Sequence, residues 1–424
     1  MSNAIFQPFG ELPIDWKYGL VEKNVNYLTG PAFDSDKFNT EGRGVRLVRG
    51  INLTKGATRW QSEKTKYWDS DLEKLIKYEL IENDILIGMD GSLVGKNYAY
   101  LRSVDLPALL VQRVARLRTK EYFSSKFLYF LFGTDEWLTY VETVKTSSGI
   151  PHISNGDIKA FHIPTPPFPE QQKIAKILTS VDEVIEKTQA QINKLKDLKT
   201  GMMQELLTNG IGHTEFKGSP VGRIPAEWEI KKFGDITLEH KQGYYSKDKY
   251  TLDGTYLIRI TDMQNPFISF AEMPKMLISE KDKKAYKVLN GDFLFARSGA
   301  IGRYGIFDSN NEATFASYLI RFRFDLEMIL NEFVGFWYES DVCQKQLGTI
   351  TQGSSNININ AQNIKELRIP IPALNEQKKI TQAILSIVKK INFAKLKLNS
   401  LKNQKKALMQ DLLTGKVRVK VDSE

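Results

Sequence analysis

IPTPPFPEQQKIAKILTSVDEVIEKTQAQINKLKDLKTGMMQELLT, residues 163–208, is answered by IPIPALNEQKKITQAILSIVKKINFAKLKLNSLKNQKKALMQDLLT, residues 369–414. Extended back to Ile158 and Ile364, the two stretches align without a gap, always 206 positions apart, and 20 of the 51 pairs are identical. Upstream the match loosens. Pro13-x-x-Trp16 answers Pro225-x-x-Trp228, and Leu80-Ile81-Glu82-Asn83-Asp84-Ile85-Leu86 answers Val288-Leu289-Asn290-Gly291-Asp292-Phe293-Leu294. A period this long is a duplicated domain, since solenoid repeats run to about 20–50 residues. Constant back halves behind divergent fronts suggest two related readers on a shared frame.

The constant segment reads as a long helix. Pro164, Pro166, Pro167 and Pro169 end an extended stretch, and no proline follows until Pro220; Pro370 and Pro372 repeat the pattern. Proline is tolerated at a helix start, and Glu170 or Glu376 then suits the positive end of the helix dipole. Beyond it, Ile174, Leu178, Val181, Ile185, Thr188, Ile192, Leu195 and Lys199 fall at intervals of four and three. The second copy keeps the register with Ile380, Ile384, Ile387, Ile391, Ala394, Leu398, Leu401 and Lys405. This is the 3.5-residue seam of a coiled coil. Gly210 and Gly415 stand where a left-handed cap would close each helix. A helix this long with a bare apolar stripe must pair, and its own copy is the nearest partner. Parallel and antiparallel pairing are both open to the sequence; antiparallel pairing better explains a reader at each end. Lys199 and Lys405 share a seam position, where the favoured reading is that both ammonium groups reach solvent.

The composition narrows the function. The chain has 424 residues, a net charge of +9 and one cysteine, Cys343, which leaves no disulfide framework or cysteine zinc site. The four histidines are scattered without metal-ligand spacing. No apolar run approaches the roughly 18 residues of a membrane helix, and the N-terminus lacks signal-peptide shape. A soluble, most simply cytoplasmic, protein is expected, with no cofactor. Within 36–66 eight basic residues, among them Arg43, Arg46, Arg49, Lys55 and Arg59, face three acids. Segment 376–414 carries nine lysines against two acids, whereas 170–208 balances six against six. Taken singly, such lysines are solvated helix faces; the two clusters together suit phosphates.

The fronts read as mixed α/β, with short β-rich runs between turn clusters. One helical stretch recurs, 124–145 and about 326–347, whose aromatics (Phe127, Phe130 and Trp137; Phe333, Phe336, Trp337 and Tyr338) read as core. Catalytic motifs fail on inspection. Gly91-Ser92-Leu93-Val94-Gly95-Lys96 is one residue too short for a phosphate loop, and Asn265-Pro266-Phe267 lacks the second proline of the aminomethyltransferase box. A duplicated enzyme should show its catalytic residues twice, so no catalytic role is expected. Two glycine turns recur, ending in Lys96 and Arg303; either each admits a phosphate or each is a plain hairpin. The loops holding Ser148 and His152, and Gln352, Ser354 and Asn356, carry side chains able to reach base edges. Lys241, Lys247, Lys249 and Arg297 complete the candidate DNA-binding set.

The ordered, doubled set resembles the specificity subunits of type I restriction-modification systems. Ile163-Pro164-x-Pro166-Pro167-x-x-Glu170-Gln171-x-Lys173-Ile174 and Ile369-Pro370-x-Pro372-x-x-x-Glu376-Gln377-x-Lys379-Ile380 carry it, with Leu206-Leu207-Thr208 and Leu412-Leu413-Thr414-Gly415 closing the helices. The resemblance spans nearly the whole chain; Ala373 opposite Pro167 is a mild departure. It implies an α+β fold class: two mixed α/β target recognition domains separated by a long antiparallel two-helix coiled coil, with an internal pseudo-twofold repeat. The division expected is a first recognition domain at 1–165, a helix at 166–210, a linker at 211–222, a second domain at 223–371, a helix at 372–415 and a tail at 416–424. It further implies that each domain reads one half of a bipartite double-stranded DNA target. Methyltransferase subunits, typically two, would dock on the frame and bring S-adenosylmethionine to an adenine in each half. Nuclease-translocase subunits would join for restriction. Two other readings stay open: the specificity chain of a system whose methyltransferase and nuclease are fused, and a coiled-coil scaffold for protein or carbohydrate ligands.

Overall fold

The structure is a computed structural model that describes residues 7–146, 149–245, 249–350 and 359–421. The chain forms two units. One runs up to Gln189 and takes in the residues from Leu396 onward; the other is Ala190–Lys395. Each unit therefore contains one mixed α/β domain, the first half of the long helix that follows it, and the second half of the other long helix.

The two domains repeat one topology. In the first unit Lys17–Leu20 pairs antiparallel with His162–Thr165, bringing the domain's entrance beside its exit. Its main sheet has the order Val25–Thr29, Val114–Thr119, Ile85–Gly88, Tyr98–Tyr100, Lys55–Gly56. A second sheet sets Val45–Val48 between Tyr67–Trp68, antiparallel, and Ala108–Leu110, parallel. The second unit matches this. Glu229–Lys232 pairs with Arg368–Ile371, and Thr237–Gln242, Leu319–Phe324, Phe293–Ala296 and Tyr304–Ile306 form the main sheet. Thr255–Ile258 again lies between an antiparallel and a parallel neighbour, Lys275–Met276 and Ala313–Phe315. Ile85–Gly88 and Phe293–Ala296 are buried throughout. Strands covered on both faces read as unbroken apolar runs, which is how these two appear in the sequence.

The aspartate ahead of each such strand has a defined task. Asp84 is fully buried, takes Arg118 Nε and Nη2 at 2.7 and 2.8 Å, and accepts the Ile81 amide. Asp292 does the same with Arg323, at 2.6 and 3.2 Å, and with the Leu289 amide. Each carboxylate is thus paired and hydrogen-bonded, the condition for burying a charge.

The recurrent aromatics form the cores. Phe127, Phe130, Trp137, Phe333, Phe336, Trp337 and Tyr338 are at most 1% exposed. The single helical stretch expected around them is in fact two helices per domain, Ser125–Leu131 with Asp135–Val144, and Asn331–Glu339 with Asp341–Ile350. The break has a local cause. The Thr134 hydroxyl accepts the Trp137 amide and the Ser340 hydroxyl accepts the Cys343 amide, so each starts a new helix.

The long helices are Phe168–Thr208 and Leu374–Leu413, 41 and 40 residues. Every seam position from Ile174, Leu178, Val181, Ile185, Ile192 and Leu195 to Ile380, Ile384, Ile387, Ile391, Leu398 and Leu401 is buried or half-buried. In the first unit the helix segments run antiparallel: Asp182 meets Lys405, and Glu170 meets Arg418. In the second, Lys196 and Lys199 lie along the same groove as Ile391 and Val388. The seam lysines differ from expectation. Lys405 Nζ is 2.6 Å from Asp182, and Lys199 Nζ is 2.5 Å from Glu339. Neither reaches into bulk solvent, because each meets a half-buried carboxylate, Asp182 of the first long helix for Lys405 and Glu339 of a domain helix for Lys199.

The Glu-Gln pair that marks each helix start is a fastening point. Glu170 accepts Trp16 Nε1 at 3.0 Å and Arg418 Nε at 2.8 Å; Glu376 accepts Trp228 Nε1 at 3.1 Å, the Ile211 amide and His213 Nε2 at 2.9 Å. Each glutamate therefore ties the Pro-x-x-Trp motif of its own repeat to residues just past the end of the other long helix. The neighbouring glutamines cap the domain helices: Gln171 accepts the Ser124 amide and Gln377 the Leu330 amide. Gly210 and Gly415 take φ of +66° and +74°. A Cβ on Gly210 would lie 2.7 Å from Trp228, and on Gly415 2.6 Å from Pro13, so glycine meets two demands at once.

Candidate nucleic-acid interface

In the first domain the arginines around the Val45–Val48 strand are held by main-chain carbonyls. Arg46 donates to Val104 O and Leu106 O at 3.2 and 3.1 Å and lies over Trp60, 5.1 Å from the ring centre. Arg49 donates to Lys64 O at 2.6 Å over the Phe38 ring, and burial pushes its guanidinium pKa down. Arg59 donates to Ile51 O at 3.0 Å. A carbonyl fixes a guanidinium without cancelling its charge, so these side chains are positioned yet remain cationic. Arg46 and Trp60 also line a groove of about 590 Å³ with Gly42, Gly44, Thr65 and Tyr67. Arg43 differs, lying 3.3 Å from Glu41 and 3.7 Å from Asp69 on an exposed surface. Such pairs are worth little.

The glycine turn and the polar loop, far apart in sequence, meet. The Gly91 amide donates to Pro151 O at 2.9 Å, Asp90 forms a β-bridge with His152, and Arg113 Nη1 is 2.7 Å from Asp90. Lys96 is exposed at the end of this turn, and Lys55 is exposed on its own short strand. In the second domain the Ile359 amide donates to Arg297 O, at the entrance to the equivalent turn. Arg303 is exposed and gives one N–H to Ile260 O at 3.2 Å. Lys241 is tethered to Ala285 O at 2.6 Å and sits 4.4 Å above the Tyr286 ring, while Lys249 is exposed. The expected contacts Ser148, Lys247, Gln352, Ser354 and Asn356 lie outside the described residues.

In the first domain Arg46 lies on the three-stranded sheet and Lys96 on the glycine turn, while in the second Arg297 and Arg303 flank the equivalent turn and Lys241 stands on the main-sheet strand Thr237–Gln242. Sequence reasoning did not single out Arg113, whose only signal is its closeness to Asp90 across a fold contact. It also passed over Lys196 and Lys395, which look like solvated helix lysines until the groove around them is seen. Among the described residues no cluster of three or more His, Cys, Asp or Glu could hold a metal ion, and no helix is long and apolar enough to cross a membrane.

Comparison with known proteins accounts for the duplication. The family model of the type I restriction modification DNA specificity domain matches residues 20–197 and again 225–403. The chain belongs to this family. Among relatives of the specificity-domain family it is 28% identical over 360 residues to the type I restriction enzyme MjaVIII specificity subunit of Methanocaldococcus jannaschii, covering 83% of each chain. It is 24% identical over 410 residues to the EcoBI specificity subunit of Escherichia coli, covering 91% of this chain and 83% of that one. The fold is similar to the crystal structure of the type I restriction-modification S subunit from M. genitalium, with a TM-score of 0.59 and 16% identity over 96% of this chain and 99% of that one. A chain solved in work on assembly and conformational transition of the type I system gives a TM-score of 0.53 at 13% identity, covering 96% and 100%. The two specificity-domain matches each run from a front domain into a long helix, as the internal repeat requires.

Proposed function

We propose that this chain is the DNA sequence-specificity subunit of a type I restriction-modification complex. Each front domain reads one half of a bipartite target, and the paired helices fix the distance between the halves. Methyltransferase subunits, two in number, dock on the constant frame, and nuclease-translocase subunits complete the restricting complex. The chain supplies recognition and leaves catalysis to its partners.

The observation that carries this reading is one topology presented twice with different cationic faces. The frame elements, Pro-x-x-Trp, Glu-Gln and the seam, serve the same contacts in both units. Some cations recur, Arg49 with Arg259 and Lys96 with Arg303, but others do not match: Arg46 and Arg59 in one domain, Lys241 and Arg297 in the other. A constant scaffold with unlike faces suits two readers of unlike sequences, the arrangement in which fixed phosphate contacts position and variable side chains specify.

Exchange of residues 1–165 for the corresponding domain of another family member tests it. The hybrid, assembled with its methyltransferase subunits, should methylate a motif altered in one half only. Alteration of both halves would contradict independent reading.

A further inference from the structure

In the second unit a groove of about 580 Å³ separates the recognition domain from the helix pair. Lys196 and Lys395 enter it from the two long helices, and Arg303 from the end of the glycine turn; all three are exposed. The groove floor holds Val388 and Ile391, both buried. Its single acid, Glu339, is already engaged: Oε2 takes Lys199 at 2.5 Å and Oε1 takes the Asn265 amide nitrogen at 3.1 Å. No ion pair to Lys196, Lys395 or Arg303 occurs among the described residues. Three uncompensated cations from three separate elements thus converge on one cleft with a narrow apolar base.

The duplication supplies an internal control. The first-unit positions equivalent to Val388, Asn392 and Lys395 are Asp182, Glu186 and Gln189. On the same helix surface the second unit is therefore three charges more positive, one at each position. In the first unit Asp182 is itself paired, holding Lys405 at 2.6 Å. Of the three groove cations the twin keeps the counterparts of Lys196 and Arg303, which are Lys402 and Lys96, but it has Gln189 for Lys395 together with the two added carboxylates, so the second groove is the more positive of the two.

We propose that this groove binds the sugar–phosphate backbone of duplex DNA on the spacer side of the half-site read by the second domain. The inference rests on the DNA-reading role above and adds a sequence-independent grip made partly by the coiled coil, strongest in the second unit. The two helix lysines suit phosphates rather than bases, because ammonium groups act as unforked point charges while base edges require directed pairs, and the Arg303 fork matches a phosphate's paired oxygens. Such contacts fix register and carry no sequence information.

The test transplants first-unit residues into the second groove, Asn392→Glu with Lys395→Gln, and separately changes Arg303→Gln. Each protein is assembled with its methyltransferase subunits, its melting temperature is compared with wild type, and its binding to target duplex is followed across a salt series. Removing one phosphate contact should flatten the slope of log K against log salt by about 0.9, so the double variant should flatten it by about 1–2. The methylated motif should stay the same. Neutral methylphosphonate linkages on the spacer side of the second half-site should weaken the wild type and leave the double variant almost unaffected. An unchanged slope in a variant that melts like wild type, or equal weakening of both proteins by the neutral linkages, would overturn the groove assignment. A wild-type complex with no preference for target over scrambled duplex would overturn the DNA-reading role itself, and the groove with it.

Discussion

Asp84 and Asp292 could not be buried alone. Each is fixed by a two-point guanidinium contact and a backbone amide, so removing the carboxylate leaves Arg118 without its acid and Arg323 with Glu239 alone. Breaking such a pair costs about 3 kcal/mol. Asp84→Ala and Asp292→Ala should each lower stability by that order, measured by urea unfolding; a drop under about 0.5 kcal/mol would show that the pair contributes little. Cys343 makes a second residue-scale test. It is completely buried in the second core, and burial pushes its thiol pKa well above the ordinary range. Since the thiolate is the reactive form, it should resist maleimide in the native protein and react once the chain is unfolded. Rapid native labelling, read by mass spectrometry, would contradict the packing described for the helix Asp341–Ile350.

At the scale of elements, the long helices were legible because an alternating four-three spacing over many turns admits few other structures. Their antiparallel direction was favoured by the need for a reader at each end and by the family resemblance rather than by the spacing itself, since it is fixed by contacts such as Glu170 with Arg418 that join residues 248 positions apart. The division of each domain's helical stretch in two turned on a single Ser or Thr cap within an otherwise continuous apolar pattern. The seam lysines show why burial could not be judged from spacing alone: their carboxylate partners come from different elements, the first long helix for Lys405 and a domain helix for Lys199. Lys199→Met leaves the half-buried Glu339 carboxylate with the Asn265 amide alone, whereas Glu339→Ala strands both the lysine and that amide, so both should destabilise, the first by about 1 kcal/mol and the second by about 2 kcal/mol or more. Thermal and urea unfolding of the two variants decide the order. If Lys199→Met proved the more damaging, the pair would be a net stabiliser of the seam. Removing one heptad from the first long helix should shorten or lengthen the accepted spacer, or abolish assembly; an unchanged spacer would argue against the helices as a ruler.

Over the whole molecule, the duplicated frame was readable because its motifs serve contacts that recur in each unit: Pro-x-x-Trp with Glu-Gln, the buried aspartate with its arginine, the glycine at each helix end. The recognition faces were only partly readable. Arg46 and Lys241 stand out as cations in the sequence, but the carbonyls that position them, and the meeting of the 91–96 turn with Pro151, depend on tertiary contacts that no local pattern encodes. Whether two readers are joined by a fixed spacer is decided by single-molecule mapping of methylated bases in the source genome, with and without this gene. Without the gene, methylation should disappear from one split motif, two short unlike halves separated by a constant gap. Methylation that is unchanged, or that disappears from an ungapped or palindromic motif, would contradict the two-reader architecture.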